Sequence, residues 1–212
     1  MVKEFLFSGV EANSYLFYNG RGEALFIDPS FNSRSDREAI ENFIEERALK
    51  PLAILITHGH FDHTLGASFL GERYGVESWI HTNEKVELQS ANQIAEAYGV
   101  KLEYPLIGAT NFIEGEPLLK FGEIEVETIL IPGHTRGSLC YYIKEEGVLF
   151  AGDTFKGNRM GFSNLGFESM AQAIIEKILP LPQESKIFSG HGNSTTIGEI
   201  RLPSGVRHLP PK

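Results

Sequence analysis

Short runs of apolar and aromatic residues mark strands at the start of the chain, and a later run, Ile124, Val126, Thr128, Leu130, alternates with period two. Val2–Phe7 and Ser14–Tyr18 read as strands, Asn19-Gly20-Arg21-Gly22 as a turn, and Ala24–Ile27 as the next strand, together an antiparallel meander. A helical period follows. Ile40, Phe43, Ile44 and Ala48 predict a helix over Asp36–Ala48, capped by Ser33 or Ser35. A buried strand at Ala53–Thr57 is followed by a helix at Leu65–Tyr74 closed by Gly75 and a short strand at Glu77–His81. Asn83 is placed to cap a helix that runs toward Ser90, with a separate turn or two of helix at Gln93–Tyr98. Leu102–Gly115 reads as a loop with one short strand.

Strands resume at Leu118–Phe121 and Ile124–Ile131, around Gly122. Ser138–Ile143 and Val148–Ala151 form a hairpin around Glu145-Glu146-Gly147. Met170–Leu179 is an amphipathic helix stopped by Pro180, Ile187–Ser189 a last strand, and the tail with Pro203, Pro210 and Pro211 a loop. The order meander, helix, strand, helix, then meander, helix, strand fits two mixed sheets with helices outside. Without an internal repeat or a linker, residues 1–212 are expected to form a single domain.

Composition narrows the classes. With 42% hydrophobic and 22% charged residues the chain has the make-up of a globular protein with a sizeable core. A formal charge of −9 argues against broad nucleic-acid or anionic-membrane binding and leaves a small molecule as the expected partner. The one cysteine, Cys140, lies in a strand-like run and reads as a small buried hydrophobe. No secretory signal and no apolar run of bilayer length is visible, so a cytoplasmic location is the default expectation.

The chemistry concentrates in Thr57-His58-Gly59-His60-Phe61-Asp62-His63, directly after an apolar strand. Three imidazoles and a carboxylate at that density are costly as core and unnecessary as surface, and they suit a metal. Three other apolar runs end in the same way: Pro132-Gly133-His134, Gly152-Asp153 and Gly190-His191-Gly192. Each pairs a strand end with a glycine that allows a sharp turn and then a His or Asp. The seven donors His58, His60, Asp62, His63, His134, Asp153 and His191 are too many for one tetrahedral ion and suit two. His81 and His208, which lack this setting, read as structural or exposed.

With these motifs in hand, the chain resembles the metallo-β-lactamase-fold hydrolases. T-H-x-H-x-D-H at Thr57–His63 is followed in order by P-G-H at Pro132–His134, G-D-T at Gly152–Thr154 and G-H-G at Gly190–Gly192, with Ile27-Asp28-Pro29 upstream. The resemblance implies a four-layer αββα sandwich with a dinuclear site at one edge. It implies His58, His60 and His134 on one metal, Asp62, His63 and His191 on the other, Asp153 bridging, and Asp28 behind the ligands. The expected cofactors are two divalent ions, zinc first, with iron or manganese as alternatives.

Within that group the chain is most similar to short glyoxalase II-like proteins, through Asn13–Leu16, Ala151–Phe155 and Gly190–Gly192 leading to Thr195–Glu199. The glutathione-binding features of that group are not matched. Phe162 stands where a basic residue is expected after G-D-T, and no C-terminal helical glutathione-binding domain is expected after Gly198. Arg159 is the nearby charge that could substitute. The implied reaction is hydrolysis of a small thioester or related ester by a metal-activated hydroxide, with Asp62 orienting it and accepting a proton. Alternatives are a single-iron persulfide dioxygenase using His58, His134 and Asp153, or a lactone or phosphodiester hydrolase. Phe155, Phe162 and Phe167 could offer an apolar wall to the substrate or serve simply as core.

Overall fold

The computed structural model describes residues 1–7, 11–104, 106 and 110–203. Part of the segment Leu102–Gly115, together with His208, Pro210 and Pro211 of the tail, lies outside the described residues. In chain order the elements are β1 (Val2–Leu6), β2 (Asn13–Tyr18), β3 (Glu23–Ile27), α1 (Arg34–Glu46), β4 (Lys50–Leu55), α2 (Ala67–Tyr74), β5 (Glu77–His81), α3 (Lys85–Ala97) and β6 (Asn111–Ile113). The second half contributes β7 (Leu118–Phe121), β8 (Ile124–Leu130), β9 (Leu139–Ile143), β10 (Val148–Lys156), β11 (Arg159–Met160), α4 (Phe167–Lys177), β12 (Lys186–His191) and β13 (Thr195–Thr196).

Two mixed sheets result. The first runs β1-β2-β3-β4-β5-β6, antiparallel through the opening meander and parallel from β3 onward. The second runs β13-β12-β10-β9-β8-β7, with β11 folded back on β10 and the β10–β12 pair parallel. Period-two alternation sorts the side chains into layers. On β2, β3 and β4, Tyr15, Phe17, Leu25, Ile27, Ala53 and Leu55 face the other sheet, while Leu16, Ala24, Phe26 and Ile54 face α1 and α2. On β9 and β10, Tyr141 and Phe150 join the intersheet core, and Cys140, Tyr142 and Leu149 pack under Met170 and Ile174 of α4. Three apolar interfaces therefore separate four layers, helix, sheet, sheet, helix, as the sequence pattern implies.

Local chemistry explains the helix ends. Ser33 caps α1, its hydroxyl accepting from the Asp36 amide at 3.2 Å, and Gly75 closes α2 at φ 66°. Cys140 is fully buried, and burial pushes its thiol up to about 12, in keeping with an inert core residue. Two expectations are corrected. The helices assigned to Asn83–Ser90 and Gln93–Tyr98 are one continuous α3, and Asn83 sits in a preceding 3-10 turn where its amide donates to Nδ1 of His81. The strand expected to stop at Ala151 continues as β10 through Lys156, so Asp153 projects from a strand interior rather than from beyond its end. The pairing of β10 with β12 shifts register around Gly152, which takes φ 48°, and this bulge re-aims the strand at Asp153. No described helix is long and apolar enough to cross a membrane.

Candidate metal centre

The seven sequence-predicted donors converge. β4 leads into His58 and His60, a 3-10 turn over Phe61–His63 carries Asp62 and His63, and the loops or strands at β8, β10 and β12 deliver His134, Asp153 and His191. Among the described residues three groups have donor atoms within 4.8 Å of one another: His58/His60/His134, Asp62/His63/His191, and Asp28/His58/His63, the last joined by the buried aspartate behind the rings. Asp153 stands between the first two. Its Oδ2 is 3.3 Å from Nε2 of His134 and 3.6 Å from Nε2 of His191, and its Oδ1 is 3.4 Å from Nε2 of His63.

Donor spacing tests the fit to a metal. A tetrahedral zinc ion with ligands at ~2.1 Å holds neighbouring donors roughly 3.4 Å apart. Nδ1 of His60 is 3.1 Å from Nε2 of both His58 and His134, and Oδ2 of Asp62 is 3.5 Å from Nε2 of His191. Nε2 of His63 and Oδ1 of Asp153 are buried and have no hydrogen-bond partner. A buried nitrogen and a buried carboxylate oxygen left facing each other are costly unless a cation lies between them. The residues present fit a divalent metal centre.

On four of the five rings the outward nitrogen is tied down, which fixes how the inward one points. Nδ1 of His63 donates to Oδ2 of Asp28 at 2.9 Å, Nδ1 of His191 to the Glu11 carbonyl at 3.0 Å, and Nδ1 of His134 to the Phe162 carbonyl at 3.0 Å. Nδ1 of His58 lies 3.1 Å from the Thr57 hydroxyl, which itself donates to Oδ2 of Asp28 at 2.6 Å. Asp28 also accepts from the Thr57 amide at 2.7 Å. It thus steadies His63 directly and His58 through Thr57. It is both a turn residue, at φ 46°, and a support for the ligands.

The electrostatics ask for positive charge. Burial alone would lower the His63 imidazole, but Asp28 and Asp153 hold it well above its ordinary value. Burial alone would raise Asp153, yet His63, with His58 and His191, keeps its carboxyl well below the usual range. Burial and the neighbouring His134 push His60 down to about 4. Burial works against Asp62, whose carboxyl is nonetheless lowered by its hydrogen bond to His191 and by His63.

Glu84 carries no signal in the sequence reading and is a structural surprise. Fully buried just before α3, its Oε2 accepts from the Gly59 amide at 2.7 Å and its Oε1 from the Gly137 amide at 2.6 Å. It clamps the His58–His60 loop to the loop that carries His134. Burial raises its carboxyl, and the two amides pull it back. Glu84→Gln turns an N–H pair toward one of these amides, so one buried donor loses its acceptor. A loss of about 2 kcal/mol in unfolding free energy is expected, measurable in urea, with metal stoichiometry retained. A stability equal to the parent's would show that the clamp contributes nothing.

Other expectations fall away from the centre. Phe155 is fully buried under α4, while the Phe162 ring is 74% exposed and contributes its carbonyl rather than its ring. Arg159 is exposed on β11. His81 is buried on β5 as a local hydrogen-bond acceptor.

Two mixed sheets between helices, with His and Asp donors gathered along one edge, form the fold and the divalent-metal site of the metallo-hydrolase superfamily, as comparison with known proteins shows. A family model described as the metallo-beta-lactamase superfamily matches residues 8–191, and the chain belongs to that superfamily. It is 32% identical over 191 residues to a probable metallo-hydrolase, YqgX, of Bacillus subtilis, covering 89% of this chain and 88% of that protein. It is 31% identical over 193 residues to the hydroxyacylglutathione hydrolase GloC of Haemophilus influenzae, covering 89% of each. Among solved structures, the BLEG-1 B3 metallo-beta-lactamase superposes with a TM-score of 0.82 at 32% identity, over 94% of this chain and 95% of that one.

Proposed function

We propose that the protein hydrolyses a small thioester or related ester at a pair of divalent ions, zinc by preference. His58, His60 and His134 hold one ion, Asp62, His63 and His191 the other, and Asp153 is shared. The observation that carries this reading is the position of Asp153, with one oxygen facing His63 and the other facing both His134 and His191. When bound, the metal pair supplies Lewis acidity to the scissile carbonyl and brings the pKa of a water toward ~7. Asp62, held as a carboxylate beside His191, would give Oδ2 to the metal and leave its other oxygen to orient that water and take its proton. His63 and His191 stay aimed inward because Asp28 and the Glu11 carbonyl hold their far nitrogens. A thiol leaves as thiolate, with a pKa of about 8.5, and needs no protonated side chain to receive it. The likeness to a hydroxyacylglutathione hydrolase supports the same bond type.

The test combines metal content with activity. Protein stripped by a chelator should lose thioester hydrolysis and regain it with two equivalents of zinc per chain. A single equivalent of iron, with oxygen consumed on a persulfide, would assign the chain to dioxygenase chemistry instead. Hydrolysis of β-lactams but not of thioesters would overturn the choice of substrate.

A further inference from the structure

Beside the donor cluster the structure opens a cavity of about 620 Å³, within the ~300–1,000 Å³ typical of small-molecule sites. His60, Asp62 and His191 form its inner end. One wall is a single stripe of α3: Glu87, Ala91, Ile94 and Tyr98, spaced at four, three and four residues, so that all four share one helix face. Phe61 faces Tyr98, their ring centroids 5.7 Å apart, and Val100 extends the apolar surface. The charges on the lining are all negative. Glu11 and Glu87 join Asp62, and no lysine or arginine lines the cavity among the described residues. Of the undescribed segments, 8–10, 105 and 107–109 contain no charged residue, while 204–212 contains Arg207 and Lys212. A larger hollow of about 740 Å³, around Asn19–Arg21 and β7, shares no residue with this one.

We infer that this α3 cavity selects the substrate arm beyond the scissile carbonyl, and that it takes an apolar arm bearing no negative charge, with a cationic end met by Glu11 and Glu87. The inference rests on the hydrolase reading and adds the substrate class. The two features act on different parts of the arm. The Ala91–Ile94–Val100 surface and the Phe61–Tyr98 pair receive hydrocarbon, and burial of apolar surface favours a longer chain. The glutamates then decide the sign of charge, because an anionic end would lie against carboxylates with no lysine or arginine among the described lining residues to pair with it.

The experiment uses metal-loaded protein and N-acetylcysteamine thioesters of acetate, hexanoate, 4-(trimethylammonio)butyrate and succinate. Ketone analogues, with CH2 in place of sulfur, report binding by calorimetry without turnover. The cationic ester should exceed the succinyl ester in kcat/KM by tenfold or more, and hexanoyl should exceed acetyl. Unit charges roughly 6 Å apart in a medium of dielectric ~40 are worth about tenfold in an equilibrium. Glu87→Lys should therefore shrink the cationic-to-anionic ratio by about tenfold or more. Ile94→Trp should raise KM for hexanoyl more than for acetyl. Thioester hydrolysis with no charge preference, unmoved by Glu87→Lys, would overturn the inference and leave the hydrolase reading standing. Charge-selective ketone binding with no thioester hydrolysis would support the cavity and overturn the hydrolase reading.

Discussion

Asp153→Ala is expected to lower kcat/KM for thioester hydrolysis by about a thousandfold, ~4 kcal/mol of transition-state stabilisation. Asp153 faces both proposed ligand groups, reaching His63 through Oδ1 and His134 and His191 through Oδ2. Losing it deprives both ions of a ligand and removes the negative charge that balances them. Metal content should fall below two equivalents, and the remaining affinity should weaken. Stability in the metal-free state should behave differently. In the metal-free protein two effects at Asp153 oppose each other: one buried oxygen lacks a hydrogen-bond partner, while His63, His58 and His191 favour the ionised carboxylate, so its removal is expected to be nearly neutral. Thermal unfolding of the stripped variant should match that of the stripped parent within a few degrees, while the rise in Tm that zinc gives the parent should be lost. Asp153→Asn, which keeps the shape and removes the charge, should fall between the two in metal affinity. Two tightly bound ions and undiminished turnover in Asp153→Ala would remove Asp153 from the centre of the mechanism.

The contrast between metal loading and fold stability follows how the site could be read from the sequence. Ligands were legible because each lies where an apolar run gives way to glycine and a His or Asp, a pattern that needs only local information. The layers were legible for the same reason, since continuous apolar runs such as Tyr15–Phe17 and Leu139–Ile143 announce strands buried on both faces. What was not legible depends on contacts between distant segments. β10 continues past Gly152 because β12 pairs with it in parallel and β11 folds back onto it, and neither partner shows in the run Val148–Ala151. Strands of two residues, β11 and β13, are too short to leave a period. The stripe of α3 mixes Glu87 with Ala91 and Ile94, so its apolar period is weak and the helix reads as two fragments. Glu84 looks like any acidic residue near a helix start, and its role exists only because Gly59 and Gly137 come from opposite sides of it. Gly190 is a further case. A side chain there would press on Oδ1 of Asp153 and on the His63 ring, so its glycine is set by the site and not by its backbone angles.

Substitutions at Asp28 separate the backbone demand from the electrostatic one. Asp28 stands at φ 46°, a conformation that Asp and Asn tolerate and that costs other residues roughly 1–2 kcal/mol. It accepts three hydrogen bonds, from the Thr57 amide, the Thr57 hydroxyl and Nδ1 of His63. Asp28→Asn keeps the turn and the size but replaces one acceptor oxygen by a donor. Whichever way the amide faces, an N–H then meets an N–H or O–H. If it faces His63, the ring loses the partner that fixes Nε2 toward Asp153. Metal affinity should drop by about 10- to 100-fold, the usual effect of removing a partner behind a metal-bound histidine. Asp28→Ala should be worse by a different route, leaving the buried Thr57 amide and His63 Nδ1–H unsatisfied at about 1–3 kcal/mol each and adding the strain at φ. Its loss of unfolding free energy should reach about 4 kcal/mol, enough to compromise folding in a domain of ordinary stability. Zinc titration of the stripped Asn variant by calorimetry, with urea unfolding of both, separates these outcomes. An Asn variant that binds zinc as tightly as the parent would show that His63 needs no support, and Asp28 would then be a turn residue alone.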